Sequence, residues 1–192
     1  MNDTDYHDDL LKALEVLRSG GSILYPTDTI WGLGCDATNT KAVDNIYRIK
    51  QRIESKSLII LVSDFEHISN WVEEIPEVAA DLIRLIENPL TIIYSNAKNL
   101  PENVIASDGT IGIRVVKEPF CIELIRLFGK PIISTSANIS GEPAPVTFSH
   151  ISNQILGSVD YIVKYKQQLL TQSKASTIIR LMETGEYVIL RQ

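Results

Sequence analysis

The sequence contains little cysteine and no cysteine motif. Two cysteines occur among 192 residues, Cys35 and Cys121, and neither belongs to a CxxC pair or has the spacing of Cys/His zinc ligands. These absences argue against a disulfide framework and against a zinc site. They leave one alternative open, which is a single bridge between the two cysteines.

Long apolar runs and a basic N-terminus are also missing. No uninterrupted apolar stretch approaches the ~18 residues that a membrane-spanning helix requires. Residues 1–9 carry four aspartates and no lysine or arginine, which is the wrong charge for a targeting segment. We therefore expect an acidic N-terminal tail over residues 1–9, a cytoplasmic location and no membrane partner.

Basic side chains are outnumbered, with 18 Lys and Arg against 24 Asp and Glu and a net charge of -6. This balance argues against nonspecific nucleic-acid binding as the main activity, although a local patch could still make weak contact with RNA. Lys50, Arg52 and Lys56 nevertheless place three cations within seven residues. Such a cluster is stabilised by a polyanion such as a nucleoside triphosphate, or simply by solvent at a helix end.

Apolar periodicity predicts alternating helices and strands. Helices are predicted near residues 10–17, 42–49, 76–87, 119–128 and 151–156, and strands near 22–25, 58–62, 91–94, 110–116, 132–133, 161, 177 and 188. Gly32-Leu33-Gly34 is assigned to a loop. The alternation, without an internal repeat or linker, predicts a single α/β domain over residues 10–192, with a twisted, mixed, open β-sheet flanked by helices.

The usual phosphate-binding motifs are absent. No GxxxxGK[ST] loop occurs, and Gly32-Leu33-Gly34 lacks the third glycine of a dinucleotide fingerprint. Hydroxyls and an amide instead follow a predicted strand in Ser134-Thr135-Ser136-Ala137-Asn138. Together with the basic cluster, this segment predicts that side chains clamp the phosphates of an anionic ligand.

Four segments in order along the chain resemble the YrdC-like threonylcarbamoyl-AMP synthase family in its short, single-domain form. They are Tyr25 to Ala37, Lys50-Gln51-Arg52 with Lys56-Ser57-Leu58, the strand containing Arg114, and Ser134 to Gly141. The resemblance implies an enzyme that forms threonylcarbamoyl-AMP and pyrophosphate from L-threonine, bicarbonate or CO2, and ATP. It further implies handover of the product to the complex that modifies tRNA.

The resemblance also assigns roles to individual residues. Lys50 and Arg52 are expected to be catalytic, neutralising the departing pyrophosphate together with a magnesium ion that bridges phosphate oxygens. ATP is expected to contact Lys50, Arg52, Lys56, Thr110, Ser136, Asn138 and Arg191. Threonine is expected to contact Thr29, Arg114, Ser134 and Ser176, and no residue is assigned as a metal ligand. The chain departs from the family pattern at Ser57, where proline is usual, and at Arg180, where an acidic residue is frequent.

Several of these residues have structural alternatives. Arg114 would be costly to bury unpaired, so it binds either the substrate carboxylate or an internal Asp or Glu. Thr27 and Asp28 could serve only to shape the turn after Pro26. Trp31 fits a core or pocket wall better than a platform for adenine.

Two other functions compete with the enzyme. A noncatalytic RNA-binding or ribosome-associated module could use the same basic concavity. A carbamoyl-transferring relative from hydrogenase maturation would use carbamoyl phosphate, but it is embedded among further domains. Ser136 and Asn138 in the polar segment, and the acidic overall charge, favour the enzyme.

Overall fold

The computed structural model describes residues 6–51, 58–169 and 175–192. The α-helices within these ranges are α1 (His7–Arg18), α2 (Thr40–Lys50), α3 (Val78–Leu85), α4 (Pro119–Phe128) and α5 (Asn153–Leu156). The strands are β1 (Ile23–Tyr25), β2 (Gly32–Gly34), β3 (Ile59–Val62), β4 (Leu90–Tyr94), β5 (Ile111–Val115), β6 (Ile132–Ser136), β7 (Tyr161–Ile162), β8 (Thr177–Leu181) and β9 (Tyr187–Arg191). Arg52 and Lys56 lie outside the described residues.

These strands form one mixed, open sheet in the order β7-β1-β2-β6-β3-β5-β4-β8-β9. Three pairs are parallel, namely β1 with β7, β3 with β5 and β4 with β8, and the other neighbours are antiparallel. The predicted fold class, a single domain with a mixed sheet flanked by helices, is therefore confirmed.

Local sequence signals explain where the helices begin and end. Asn39 caps α2, because its side-chain oxygen accepts hydrogen bonds from the backbone N–H groups of Lys41 and Ala42. Pro119 occupies the first turn of α4, and Gly129 ends that helix in the left-handed conformation with φ 75°. The predicted helix therefore has the expected proline at its start and glycine after its end.

Strand alternation gives the sheet two different faces. One face, here called the apolar face, packs against α2 and α3 and includes Ile60, Val62 and Ile113. On the opposite face, here called the cavity face, α1 and α4 cover Leu61 and Ile132 in a second apolar cluster. The two helices cover only part of this face, and the remainder is open to a cavity.

Two segments predicted to lie outside the strands are strands in the structure. Gly32-Leu33-Gly34 is not a loop but strand β2, buried throughout and paired with β1 and β6. A Cβ atom at Gly34 would lie 2.6 Å from the Ile133 carbonyl oxygen, so glycine permits this close pairing. Ser134-Thr135-Ser136 likewise belongs to β6 and is held in register opposite β2 and β3, which fixes the direction of its hydroxyls.

Two further expectations change. Helix α1 begins at His7, so residues 7–9 are helical, and Asp9 accepts hydrogen bonds from the Tyr161 hydroxyl and the Lys164 N–H. The acidic segment therefore does not continue to residue 9 as a tail. The possible bridge between Cys35 and Cys121 is excluded, because both thiols are free and belong to apolar clusters on opposite faces of the sheet.

Candidate active site

A cavity of about 300 Å³ occupies the open part of the cavity face. Strands β2, β3, β5, β6, β8 and β9 all contribute to its walls. Six residues predicted to bind substrates line it: Thr29, Arg114, Ser134, Ser136, Ser176 and Arg191. The structure thus brings together the complete predicted threonine set with two members of the predicted ATP set. Lys50, Thr110 and Asn138 are not among the lining residues.

Arg114 lies deep in the cavity on β5, with 3% of its side chain exposed. Its Nη2 atom is 3.3 Å from Asp28 Oδ1, and its Nη1 donates to Thr29 Oγ1 at 3.1 Å. Within the described part of the chain, its buried Nε has no hydrogen-bond partner. The internal acid therefore exists, but the Arg114 side chain also lines the cavity, so its pairing with Asp28 does not exclude a substrate anion.

Asp28 does more than shape a turn. Its Oδ2 accepts a hydrogen bond from the Lys117 backbone N–H at 3.1 Å, so it ties the loop between β1 and β2 to the end of β5. The neighbouring Thr27 hydroxyl donates to the Ile30 carbonyl and lies 2.9 Å from Thr29 Oγ1. This network holds the Thr29 hydroxyl against Arg114.

Arg191 forms a second cationic wall of the cavity. Its Nε and Nη2 atoms donate to the Ser176 carbonyl at 3.1 and 2.9 Å, and the Ser176 hydroxyl lies 2.8 Å from Thr91 Oγ1. Burial and the nearby positive charge of Arg114 lower the pKa of Arg191. Two partly desolvated guanidinium groups facing one cavity favour an anionic ligand, because an anion relieves their mutual repulsion.

Lys50 lies at the end of α2 and is buried. Its ammonium donates to the carbonyl oxygens of Ser136 and Asn138 at 2.5 and 2.8 Å, and its own carbonyl accepts from Ser140 N–H. Lys50 therefore joins the end of α2 to the end of β6 and to the loop that follows it. Its contact with the phosphates of ATP stays a prediction, and both carbonyls that it binds belong to predicted ATP ligands, Ser136 and Asn138.

Asn138 and Thr110 are both engaged with the protein. The Asn138 amide nitrogen donates to the carbonyls of Ile139 and Glu142, while its Oδ1 is buried without a hydrogen-bond partner among the described residues. The Thr110 hydroxyl donates to Asp108. Trp31 lines the cavity and packs against Phe148 with ring centroids 4.9 Å apart, in agreement with the pocket-wall interpretation.

Two acidic residues that pair with arginines were not identified individually from the sequence. Asp28 pairs with Arg114 across 86 positions of sequence, and Asp108 pairs with Arg180 across 72. The only local signal was the presence of each acid beside a predicted ligand, since Asp28 precedes Thr29 and Asp108 is two residues before Thr110.

Neither a membrane span nor a metal cluster is found in the described ranges. No helix there is both long and apolar enough to cross a bilayer. No group of three or more His, Cys, Asp or Glu side chains there could hold a metal ion.

Comparison with known proteins identifies the family. Residues 15–192 match the Sua5/YciO/YrdC family model, described as "Telomere recombination", and the chain belongs to this family. It is 34% identical over 178 residues to the threonylcarbamoyl-AMP synthase of Pseudomonas fluorescens, covering 92% of this chain and 94% of that one.

Solved structures agree with this assignment. Pyrococcus abyssi Sua5 complexed with L-threonine superposes with a TM-score of 0.84 at 30% identity, covering 95% of this chain but 53% of that chain. The chain thus spans about half the length of that relative. Escherichia coli YciO superposes with a TM-score of 0.83 at 26% identity, covering 96% of this chain and 89% of that chain.

Proposed function

We propose that this protein is an L-threonylcarbamoyladenylate synthase. The observation that carries the proposal is the convergence of Arg114 and Arg191 with four predicted hydroxyl ligands on one cavity. These hydroxyls belong to Thr29, Ser134, Ser136 and Ser176. Relatives named threonylcarbamoyl-AMP synthase, and a related structure holding L-threonine, support the same substrate.

The position of Arg114 in the wall of the cavity supports binding of the threonine carboxylate. A carboxylate offers two acceptor oxygens to a guanidinium, and Asp28 and Thr29 already fix the orientation of this one. Ser134 and Ser176 would then hold the threonine side chain and amine from neighbouring positions in the cavity. Binding is thus combined with orientation, which supplies much of the rate in a reaction of several substrates.

In the proposed reaction, the threonine amine forms a bond to the carbon of CO2 and releases a proton to give a carbamate. With bicarbonate, hydroxide leaves that carbon and departs with the amine proton as water. A carbamate oxygen then forms a bond to the α-phosphorus of ATP. The bond from that phosphorus to the bridging oxygen breaks, and pyrophosphate leaves with its electron pair. Negative charge grows on pyrophosphate, so nearby cations stabilise the transition state.

The cations available for this task include Arg191 and the cluster of Lys50, Arg52 and Lys56. We include Lys50 because its ammonium holds the carbonyls of Ser136, at the end of β6, and of Asn138, in the loop that follows. Magnesium enters as part of the substrate complex with ATP, because the ion ordinarily bridges phosphate oxygens. A cytoplasmic location, and delivery of the labile adenylate to the machinery that modifies tRNA, belong to the same proposal.

The test is pyrophosphate release by the purified protein with ATP and magnesium. Threonine and bicarbonate are omitted one at a time, and serine replaces threonine as a specificity control. We expect release only when both co-substrates are present. Release that ignores threonine, or RNA binding that falls steeply with salt while ATP leaves thermal stability unchanged, would contradict the proposal.

A further inference from the structure

Strand β2 contains two glycines, and the fold explains only one of them. A Cβ atom at Gly34 would lie 2.6 Å from the backbone carbonyl oxygen of Ile133, so glycine is needed there. At Gly32 the nearest described atoms would be side-chain atoms, the first at 3.2 Å, and small shifts of these atoms could accommodate a methyl group. Gly32 is also not among the glycines with positive φ. Neither backbone conformation nor close backbone packing therefore accounts for glycine at position 32.

Gly32 belongs to the wall of the cavity. It is directly opposite Ser136 in the pairing of β2 with β6, and residues opposite each other in a sheet present their side chains on the same face. Both residues line the cavity. Glycine weakens a strand because it has no side chain to pack, and it often occurs where a ligand approaches closely. The missing side chain at Gly32 therefore leaves space on the cavity face.

Three atoms border this space, here called the Gly32 recess. A Cβ atom at Gly32 would lie 3.2 Å from Thr27 Cγ2, 3.3 Å from Ser134 Oγ and 3.4 Å from Tyr25 Cε1. Hydrogen bonds of the Thr27 hydroxyl fix the direction of its methyl group. The recess thus combines two carbon contacts with one hydroxyl. The side chain of threonine carries a methyl group and a hydroxyl on one carbon, which matches this combination.

We propose that Gly32 determines specificity for the amino-acid substrate, because its missing side chain leaves room for the methyl group of threonine beside Ser134. The inference rests on the proposed function, since it takes L-threonine as the substrate. Serine lacks this methyl group and gains nothing from the recess. One buried carbon in a binding pocket changes the preference between two substrates by about 10- to 200-fold.

The test compares kcat/KM for L-threonine with kcat/KM for L-serine, both measured by pyrophosphate release. The Cβ atom introduced by Gly32→Ala should occupy the position of the threonine methyl group. We expect kcat/KM for threonine to fall by about tenfold or more, and kcat/KM for serine to fall by less than about threefold. General damage to the fold would instead lower both values by the same factor.

A second substitution separates occupation of the recess from strain in its wall. Thr27→Ser removes the methyl group nearest to the new Cβ atom and keeps the hydroxyl that bonds to the Ile30 carbonyl. The double variant Gly32→Ala with Thr27→Ser should therefore keep the lowered ratio of threonine to serine. Return of the wild-type ratio would show that strain against Thr27 caused the change, and this would contradict the inference.

Gly157→Ala provides the matched control. A Cβ atom there would lie 3.3 Å from the Asn153 carbonyl oxygen, which is similarly tight, but Gly157 follows α5 and is not among the residues that line the cavity. Its ratio should equal that of the wild type. An unchanged ratio in Gly32→Ala, or a wild type that uses serine as well as threonine, would overturn this inference and leave adenylate synthesis standing. A folded wild type that neither binds threonine nor releases pyrophosphate would overturn both.

Discussion

Two adjacent residues of β5 show how differently the two faces of the sheet are built. Ile113 and Arg114 are equally buried, at 2% and 3% exposure, but they point to opposite faces. Ile113 joins the apolar core, where full burial of such a side chain stabilises the fold by about 1.5–3 kcal/mol. Arg114 requires Asp28 and Thr29 to offset the loss of its hydration. Burial on the apolar face stabilises the fold, whereas burial of a charged group on the cavity face lowers that stability and provides a group that can bind an opposite charge.

Arg114→Met should show most clearly how the functions of the two faces differ. The substitution removes the proposed partner of the threonine carboxylate, so kcat/KM for threonine should fall on the order of 100- to 1,000-fold. It also leaves Asp28 buried without its cation, which should lower the free energy of unfolding. Pyrophosphate release and urea denaturation measure the two effects, and exposed Arg84→Met on α3 is the matched control.

The double variant Asp28→Asn with Arg114→Met sharpens this comparison. Removing the second charge should recover most of the lost stability, because no uncompensated ion remains buried. Threonine-dependent activity should stay lost. If the double variant regained activity along with stability, Arg114 would be a structural residue rather than a substrate ligand.

Ile113→Ala tests the opposite side of the same strand. A cavity in the apolar core should cost about 3 kcal/mol in the free energy of unfolding. The kcat/KM of the folded fraction should change little, because the side chain points away from the substrates. Urea denaturation gives the stability, and pyrophosphate release below the transition gives the activity. A large loss of activity at wild-type stability would refute the division between the faces.

Most elements of the fold could be predicted from local patterns. The apolar run over residues 58–62 and the Pro119 and Gly129 signals mark β3 and α4, because strands and helix ends depend mainly on neighbouring residues. The loop prediction for Gly32-Leu33-Gly34 was wrong for a physical reason. Its glycines suggested a loop, but tertiary pairing places them in a strand where neighbouring atoms leave no room for a Cβ at Gly34.

Several residues that line the cavity were predicted from the sequence, but their contacts within the protein were not. Thr29, Arg114, Ser134 and Ser176 were identified, and the structure brings them to one cavity. The contact of Lys50 with the carbonyls after β6 could not be foreseen, because it depends on how α2 approaches that strand in space. No local pattern encodes such a contact.

The pH dependence of stability should reveal the ionisable groups placed in apolar surroundings on both faces. Burial raises the pKa values of Tyr94 and Cys35 in the core of the apolar face, and of Tyr25 and Cys121 beneath α1 and α4. A raised pKa means that the folded state holds the proton more tightly than the unfolded state does. The stabilising effect is therefore fully present at pH values below the pKa values of the unfolded chain, which are about 8.5 for Cys and 10 for Tyr.

Above those values the unfolded chain loses protons that the folded chain retains, so stability should fall as pH rises. Each group should cost about 1.4 kcal/mol per pH unit once its unfolded form is ionised. Thermal melting between pH 7 and pH 10.5 measures the decline, and Cys35→Ala should make its first part less steep, because Cys121 then remains as the one thiol of this pair. A melting temperature that stays constant through pH 10.5 would show that these groups are not desolvated.

The smallest expected effect distinguishes two buried tyrosines. The Tyr94 hydroxyl lies in the apolar face and has no hydrogen-bond partner among the described residues, whereas the Tyr25 hydroxyl on the cavity face donates to the Ile133 carbonyl at 3.2 Å. Tyr94→Phe removes an unpaired polar group and should raise the free energy of unfolding by about 1 kcal/mol. Tyr25→Phe removes a paired one and should lower it by about the same amount. Both substitutions delete a single oxygen. Changes of opposite sign in the free energy of unfolding, measured by urea denaturation, would show that local hydrogen bonding decides the outcome. Changes of the same sign would show that it does not.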